Sequence, residues 1–150
     1  MALGASAILA AVRDHAASTG LFEGVLGHEP KSAPGNGLRA AVWVQRIEPT
    51  SSGLDSTSAR LVLSVRVYKN MLSEPQDSID TDLLGAVDAL MTAYTGDFTL
   101  GGLARNVDVL GIDGDPLSAE AGYLEQDGKM YRVMVITLPL HINDLWEQVA

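Results

Sequence analysis

A chain of 150 residues has the length of one domain and can bury a single core. It carries 19 acidic residues against 10 Lys and Arg, and the net charge of -9 opposes electrostatic binding to nucleic acid phosphates. The absence of cysteine excludes disulfides, thiolate metal sites and a cysteine nucleophile. With 47% hydrophobic residues the chain is apolar for a soluble protein, which predicts that partner copies cover part of its surface.

The chain begins with a predicted amphipathic helix. Apolar residues recur at helical spacing between residues 4 and 18, and Gly20 ends the pattern. The apolar start has the composition of a signal-peptide core, but no Lys or Arg precedes it and Arg13 and Asp14 follow, so a helix is favoured. No run reaches the roughly 18 apolar residues of a membrane span, and we expect no membrane contact.

Three strands are predicted next. A short apolar piece around Val25 and Leu26 precedes a loop rich in Pro and Gly, and the segments LRAAVWVQRI (38–47) and ARLVLSVRVYK (59–69) then follow. The second segment alternates with period 2 and has one fully apolar face, as a half-buried strand does. The connector between the two segments contains no hydrophobic run, so we expect it to project as a long loop.

The strongest helix signal covers residues 80–95, where apolar residues form one continuous face. Acidic residues favour its N-terminus, and Gly96 is predicted as its C-cap. A short strand at 105–110 and a turn follow, and Asp127-Gly128 then marks a hairpin. The last strand is apolar on both faces from 133 to 138, which predicts a central strand with helices over one face and a second layer or another subunit over the other.

These elements predict one α+β domain over residues 1–150. Its sheet is expected to be largely antiparallel or mixed and packed by two α-helices, in the order α-β-β-β-α-β-β-β.

Sequence motifs for catalysis, metal binding or cofactor binding are weak. The segment GYLEQDGKM has five residues between Gly122 and Gly128 where a phosphate-binding loop has four, and Met130 replaces the hydroxyl that holds magnesium. The three histidines are widely spaced, and no G-x-S-x-G elbow occurs. The sequence therefore predicts no catalytic residue, no metal and no cofactor, and hence a protein that is not an enzyme.

An acidic run lies between Arg105 and Lys129, with no basic residue among its members. A solvated acidic face is favoured; a calcium site and an acidic surface used against a polyanion are the alternatives. The run consists of Asp108, Asp113, Asp115, Glu120, Glu125 and Asp127.

The glycine-rich stretch AYTGDFTLGGLARNVDVLG poses the question of a nucleotide site. Its glycines follow a helix, whose carbonyl end repels phosphate, so a turn is favoured over an anion cradle. Its three apolar loop residues are assigned to the domain's own core or to contact with a neighbouring subunit. Strand arginines either lie on a wet surface or pair with an acid across a subunit boundary. The candidate subunit-interface residues are Phe98, Leu100, Leu103, Arg66 and Arg132.

With its elements in this order, the chain resembles the tail terminator proteins of long-tailed, siphovirus-type bacteriophages. The resemblance covers most of the 150 residues and rests on three segments. These are the helix that ends ALMTAYTGDFTLGG, the short strand RNVDVLG and the closing hairpin GYLEQDGKMYRVMVITLPLHIND.

The resemblance implies a structural virion protein that is assembled in the host cytoplasm. Such proteins form a hexameric ring at the head-proximal end of the tail tube, stop its polymerisation and join the tail to the neck. The implied partners are further copies of the chain, the tail tube protein and a neck or head-completion protein, with DNA passing through the lumen without specific binding. The loops at 28–37 and 49–58 are expected to make contacts along the axis.

Two alternative functions remain open at the sequence level. The first is another connector ring of the neck, which shares this composition and architecture. The second is a small ligand-binding domain or hydrolase, which needs a concave site with convergent polar groups.

Overall fold

The computed structural model describes residues 5–29, 37–50, 56–71, 76–97, 99–112 and 114–147. Within these ranges the chain forms two α-helices and six strands in the order helix, three strands, helix, three strands, which confirms the predicted α+β class and element order. The elements are α1 Ala5–Ser18, β1 Gly24–Leu26, β2 Arg39–Thr50, β3 Ser56–Asn70, α2 Ile79–Gly96, β4 Asn106–Val107, β5 Ser118–Gln126 and β6 Lys129–Glu147. A short 3-10 helix, Gln76–Ser78, leads into α2.

The strands form one mixed, curled sheet. Its order is β1-β2-β3-β6, and both β4 and β5 pair with the second edge of β6. Among the described strands, β1 and β2 run parallel and the other pairs are antiparallel. The prediction that β6 is central is confirmed, because β6 pairs with β3 on one edge and with β4 and β5 on the other. The helices cover one of its faces, as its apolar run predicts.

The β2–β3 hairpin is longer than predicted, and the expected projecting loop is wrong over most of its length. Glu48, Pro49 and Thr50 pair in register with Arg60, Ala59 and Ser58. Strand pairing continues past the apolar segments because backbone hydrogen bonds do not require apolar side chains. Residues 51–55, and residues 30–36 of the predicted contact loop at 28–37, lie outside the described residues.

The main core lies between the two helices and one face of the sheet. Alternate residues of β3, including Leu61, Leu63 and Val65, point into it, as the period-2 pattern predicts. Helix α1 contributes Val12, whose carbonyl accepts a hydrogen bond from the Tyr94 hydroxyl of α2 at 3.3 Å. Burial raises the pKa of Tyr94 far above the usual tyrosine value.

The face of the sheet opposite the helices, called the open face below, carries a smaller apolar cluster. Tyr68 of β3 and Tyr131 of β6 meet edge to face with ring centroids 6.3 Å apart, and both are buried. Leu26 of β1 and Leu124 of β5 pack against the same cluster. No helix or second sheet among the described elements covers this face; instead, side chains from the curled sheet bury one another there.

The β5–β6 hairpin turns at Asp127-Gly128, as predicted. Both residues have positive φ, 52° and 74°, as the favoured two-residue hairpin turn requires. The same geometry explains why this segment is not a phosphate-binding loop: its glycine turns a hairpin and does not precede a helix.

The glycine-rich stretch after α2 turns the chain, but at a different place than predicted. Gly96 is the last helical residue, and Asp97 is the C-cap, with its N–H bonded to the Ala93 carbonyl at 3.0 Å. The left-handed residues come later, at Leu100, Gly101 and Gly102, with φ of 50°, 68° and 90°. The prediction of Gly96 as C-cap is therefore wrong by one residue, because the later glycines make the reversal.

Two neighbouring leucines of α2 offer a matched test of the core. Leu83 is 0% exposed in the main core, whereas Leu84 is 59% exposed on the outer side of the helix. Leu83→Ala is expected to lower the free energy of unfolding by about 2–5 kcal/mol, and Leu84→Ala by no more than about 0.5 kcal/mol. Urea unfolding of both variants measures the difference; equal losses would contradict the assigned helix orientation.

Candidate functional site

The three predicted loop candidates have different environments. Phe98 lies outside the described residues. Leu100 is buried in the main core, so its side chain packs within its own subunit. Leu103 stays exposed on the turn that follows, where a partner can reach it.

Arg66 lies on the open face, stacked on aromatic rings. Its guanidinium carbon is 4.7 Å from the Trp43 ring centroid and 5.8 Å from that of Tyr68. Its Nη1 is 3.6 Å from a carboxylate oxygen of Glu29. Burial raises the pKa of Tyr68, and the nearby Arg66 cation opposes that rise. Arg66 therefore has an acid partner and two aromatic partners within its own chain.

Arg132 lies on the helix side of the sheet and joins β6 to α2. Its Nε donates to an oxygen of Asp80 at 2.9 Å and its Nη1 to the Gly122 carbonyl at 3.2 Å. The Asp80 hydrogen bond raises the pKa of Arg132. The guanidinium also lies 4.5 Å from the Tyr123 ring centroid, beside a groove of about 400 Å³. The two arginine candidates are thus on opposite faces of the sheet and do not form one site.

The structure contains a polar row that the sequence analysis missed. It crosses four strands on the open face, because Glu48 of β2 pairs in register with Arg60 of β3, Arg60 with His141 of β6, and His141 with Asn106 of β4. Arg60 is 0% exposed, the most buried position that a charged side chain takes among the described residues. A buried cation is stable only when acids and acceptors surround it.

One acid partner is Glu48 of β2, with a carboxylate oxygen 3.6 Å from Arg60 Nη1. The other partners come from the segment between β4 and β5, called the acidic loop below (residues 108–117, of which 113 lies outside the described residues). Arg60 Nη2 is 3.5 Å from an oxygen of the buried Asp108, and it donates to the backbone carbonyl of Asp115. The Asp115 carboxylate pairs with Arg46 of β2 at 3.1 Å. The acidic loop therefore extends from β4 across the end of the sheet to β2.

The acidic run is accordingly not a uniformly solvated face, and that expectation is wrong at Asp108. This residue is buried against Arg60, and its other oxygen accepts the Ile112 N–H at 2.9 Å. The alternation of side chains along β3 could have predicted the face on which Arg60 lies, because Arg60 is six residues from Arg66 and therefore shares its face. Its buried acid partner Asp108, however, is more than forty positions away in the sequence, and its nearer acid partner is Glu48 of the neighbouring strand.

The acidic loop presents two exposed apolar side chains. Leu110 is 84% exposed and Ile112 is 83% exposed, more than any other large hydrophobic residue among those described. We call this pair the apolar tip. The backbone that carries it is held by the Asp108 carboxylate below, so the tip is fixed in position although it contacts water.

The polar row stabilises the acidic loop through buried contacts. His141 Nδ1 lies 3.1 Å from the Asn106 side-chain oxygen, and Nε2 lies 3.9 Å from Asp108. Arg60, Asp108 and His141 are all buried. In the described part of the chain, no three His, Asp or Glu residues are arranged to hold a metal ion.

Comparison with models of known protein families gives no match, and comparison with curated proteins gives no significant match either. Among the described helices, none is both long and apolar enough to cross a membrane.

Arg60 and Arg46 allow a matched test of the loop anchor. Arg60→Met is expected to lower the free energy of unfolding by about 3–5 kcal/mol, because it leaves the Asp108 carboxylate buried without its cation. Arg46→Met removes a half-exposed pair to the same loop and is expected to cost no more than about 1 kcal/mol. Urea unfolding distinguishes the two; a similar small loss in both would contradict the anchor.

Proposed function

We propose that this protein is a non-enzymatic ring subunit that ends the tail tube of a long-tailed bacteriophage and joins it to the neck. In this proposal several copies, most simply six, close a ring at the head-proximal end of the tube. The ring stops further addition of tube protein and presents a surface to the neck protein. The proposal places the protein in the virion, at the junction of tail and neck.

The observation that carries this proposal is the apolar tip on its buried anchor. Two large aliphatic side chains more than 80% exposed are costly for an isolated soluble domain, since such groups favour association. The Arg60–Asp108 pair beneath holds them in one position, which lowers the entropy lost when a partner binds. A fixed, exposed apolar pair fits a protein-docking surface better than a small-molecule site.

Electrostatics support the same proposal. With a net charge of -9, a ring of identical subunits carries a strongly negative total charge, which repels DNA phosphates. A lumen of this sign lets DNA pass without binding. Another connector ring of the neck fits these observations as well, and the position of the protein in the particle separates the two.

Loss of the protein tests the proposal directly. Without it, electron microscopy of the phage tails is expected to show tubes of uncontrolled length, because no ring ends polymerisation. Antibody labelling of complete particles is expected at the tube end nearest the head. Tails of normal length would reject the terminator function, and such tails together with label at the capsid portal would favour the neck connector.

The apolar tip has its own test. Leu110→Ser with Ile112→Ser is expected to reduce capping of purified tubes at least tenfold, because the docking surface loses its apolar contacts. The free energy of unfolding should stay within about 0.5 kcal/mol, since both side chains are exposed. Leu84→Ser, at another exposed leucine, is the control and should cap normally; unchanged capping by the double variant would contradict the docking role.

A further inference from the structure

The sheet has two uncovered edges in the described part of the chain. Strand β2 has 12 residues, of which Arg39, Ala40 and Ala41 pair with β1, so nine residues from Val42 to Thr50 have no described strand on their outer side. At the other edge, all nine residues of β5 pair with β6 and with no other described strand. Uncovered strand edges expose backbone donors and acceptors that favour pairing with another strand.

The β5 edge lacks three of the usual forms of protection, namely a bulge, proline and lysine. Its register with β6 runs from Ser118 to Gln126 without a bulge, and it contains neither proline nor lysine. The β2 edge is partly protected, because a bulge lies between Val44 and Arg46 and Pro49 lacks an N–H donor. A partner strand therefore has its best access to β2 between Val42 and Glu48.

Strand direction makes these two edges complementary. The order β2-β3-β6-β5 is antiparallel at every step, so β5 runs opposite to β2 within one subunit. Rotation about an axis parallel to the strands keeps the direction of every strand. A second copy placed beside the first by such a rotation therefore has its β2 antiparallel to the β5 of the first. The edges at the two ends of one sheet can thus form an antiparallel ladder between copies.

Side-chain chemistry supports the same pairing. Val44 and Ile47 are exposed on the helix side of β2, because they lie opposite the core residues Leu63 and Leu61. Tyr123 lies on the helix side of β5, opposite Arg132, and is 65% exposed. When the two sheets join with their faces aligned, these apolar groups cover one another.

The charges on the two edges also differ. Strand β5 carries Glu120 and Glu125 and no cation, whereas the exposed part of β2 carries Arg46 beside Glu48. Nearly half of the Arg46 side chain is exposed, so it can reach an acid of the next copy in addition to Glu48 and Asp115 of its own chain. The acidic edge of one copy therefore meets an edge that offers a cation.

We propose that β5 of one copy pairs antiparallel with the Val42 to Glu48 part of β2 of the next copy, so that the sheet continues from subunit to subunit. This inference rests on the proposed ring function. Because the two edges differ, the contact is heterologous, and repetition of a heterologous contact closes a ring when the rotation permits. The occupant of each edge is thus a second copy of this chain.

Disulfide cross-linking tests the pairing on a background without native cysteine. Val44→Cys is mixed with Ala121→Cys, and in a second mixture with Tyr123→Cys, which together sample adjacent registers. Within one subunit these positions are separated by three strand spacings, about 14 Å, and a disulfide requires Cα atoms within about 7 Å. Under oxidation we expect a cross-linked dimer in at least one mixture, at tenfold or greater yield than with Leu84→Cys in place of Val44→Cys.

Two results would overturn the proposal. One is the absence of a β2–β5 cross-link from both mixtures at all concentrations, including those at which particle mass shows oligomers. The other is efficient cross-linking of Ala121→Cys with itself, which indicates a twofold β5–β5 contact instead. If rings cap tubes but no cross-link forms, this interface is rejected and the ring function stands. If the cross-link forms but tail length does not depend on the protein, the interface stands and the terminator function is rejected.

Discussion

The antiparallel pairing of β3 with β6 is the constraint on which the rest of the molecule depends. It runs from Ser56 opposite Glu147 to Asn70 opposite Tyr131, and it is the longest ladder among the described strands. Since side chains alternate along both strands, this one register determines two surfaces at once. One face receives the helices and the main core; the other receives the polar row and the tyrosine pair. A slip by one residue would move Arg60 into the apolar core beneath the helices.

The buried Arg60–Asp108 pair needs an explanation beyond stability. Desolvating two charges costs free energy that their attraction does not always recover, and apolar pairs of similar volume often stabilise a fold equally well. The ion pair also orients the acidic loop, because Arg60 binds the Asp115 carbonyl and Asp108 accepts the Ile112 N–H. Together these contacts fix the path of the acidic loop across the end of the sheet. Burying the two charges costs free energy, and the same buried pair determines where the apolar tip lies.

Local signals in the sequence determined most of the fold. Two helices, the order of helices and strands along the chain and the Asp127-Gly128 turn were predicted because each depends on residues close together in the chain. The length of the β2–β3 hairpin was not, since polar residues such as Glu48 and Thr50 pair through their backbone alone. The site was predicted less well. Arg60 resembles any strand arginine until the fold brings Asp108 and Asp115 beside it, and Leu100 resembles a loop residue until the turn buries it.

The two candidate contact surfaces, the strand edges and the apolar tip, lie in different places and offer different kinds of interaction. The uncovered edges of β2 and β5 lie at opposite ends of the sheet and offer backbone hydrogen bonds, which suit contact between identical neighbours in one plane. The apolar tip lies on a loop anchored to the open face and offers only aliphatic surface, which suits a different protein. A subunit that must join its own copies and also a partner needs two such surfaces that do not compete. Arg46 connects the two surfaces, because it belongs to the β2 edge and also pairs with Asp115 of the acidic loop. Changes at Arg46 should therefore affect both surfaces, whereas changes at residues without shared partners, such as Leu110 and Tyr123, should act almost independently.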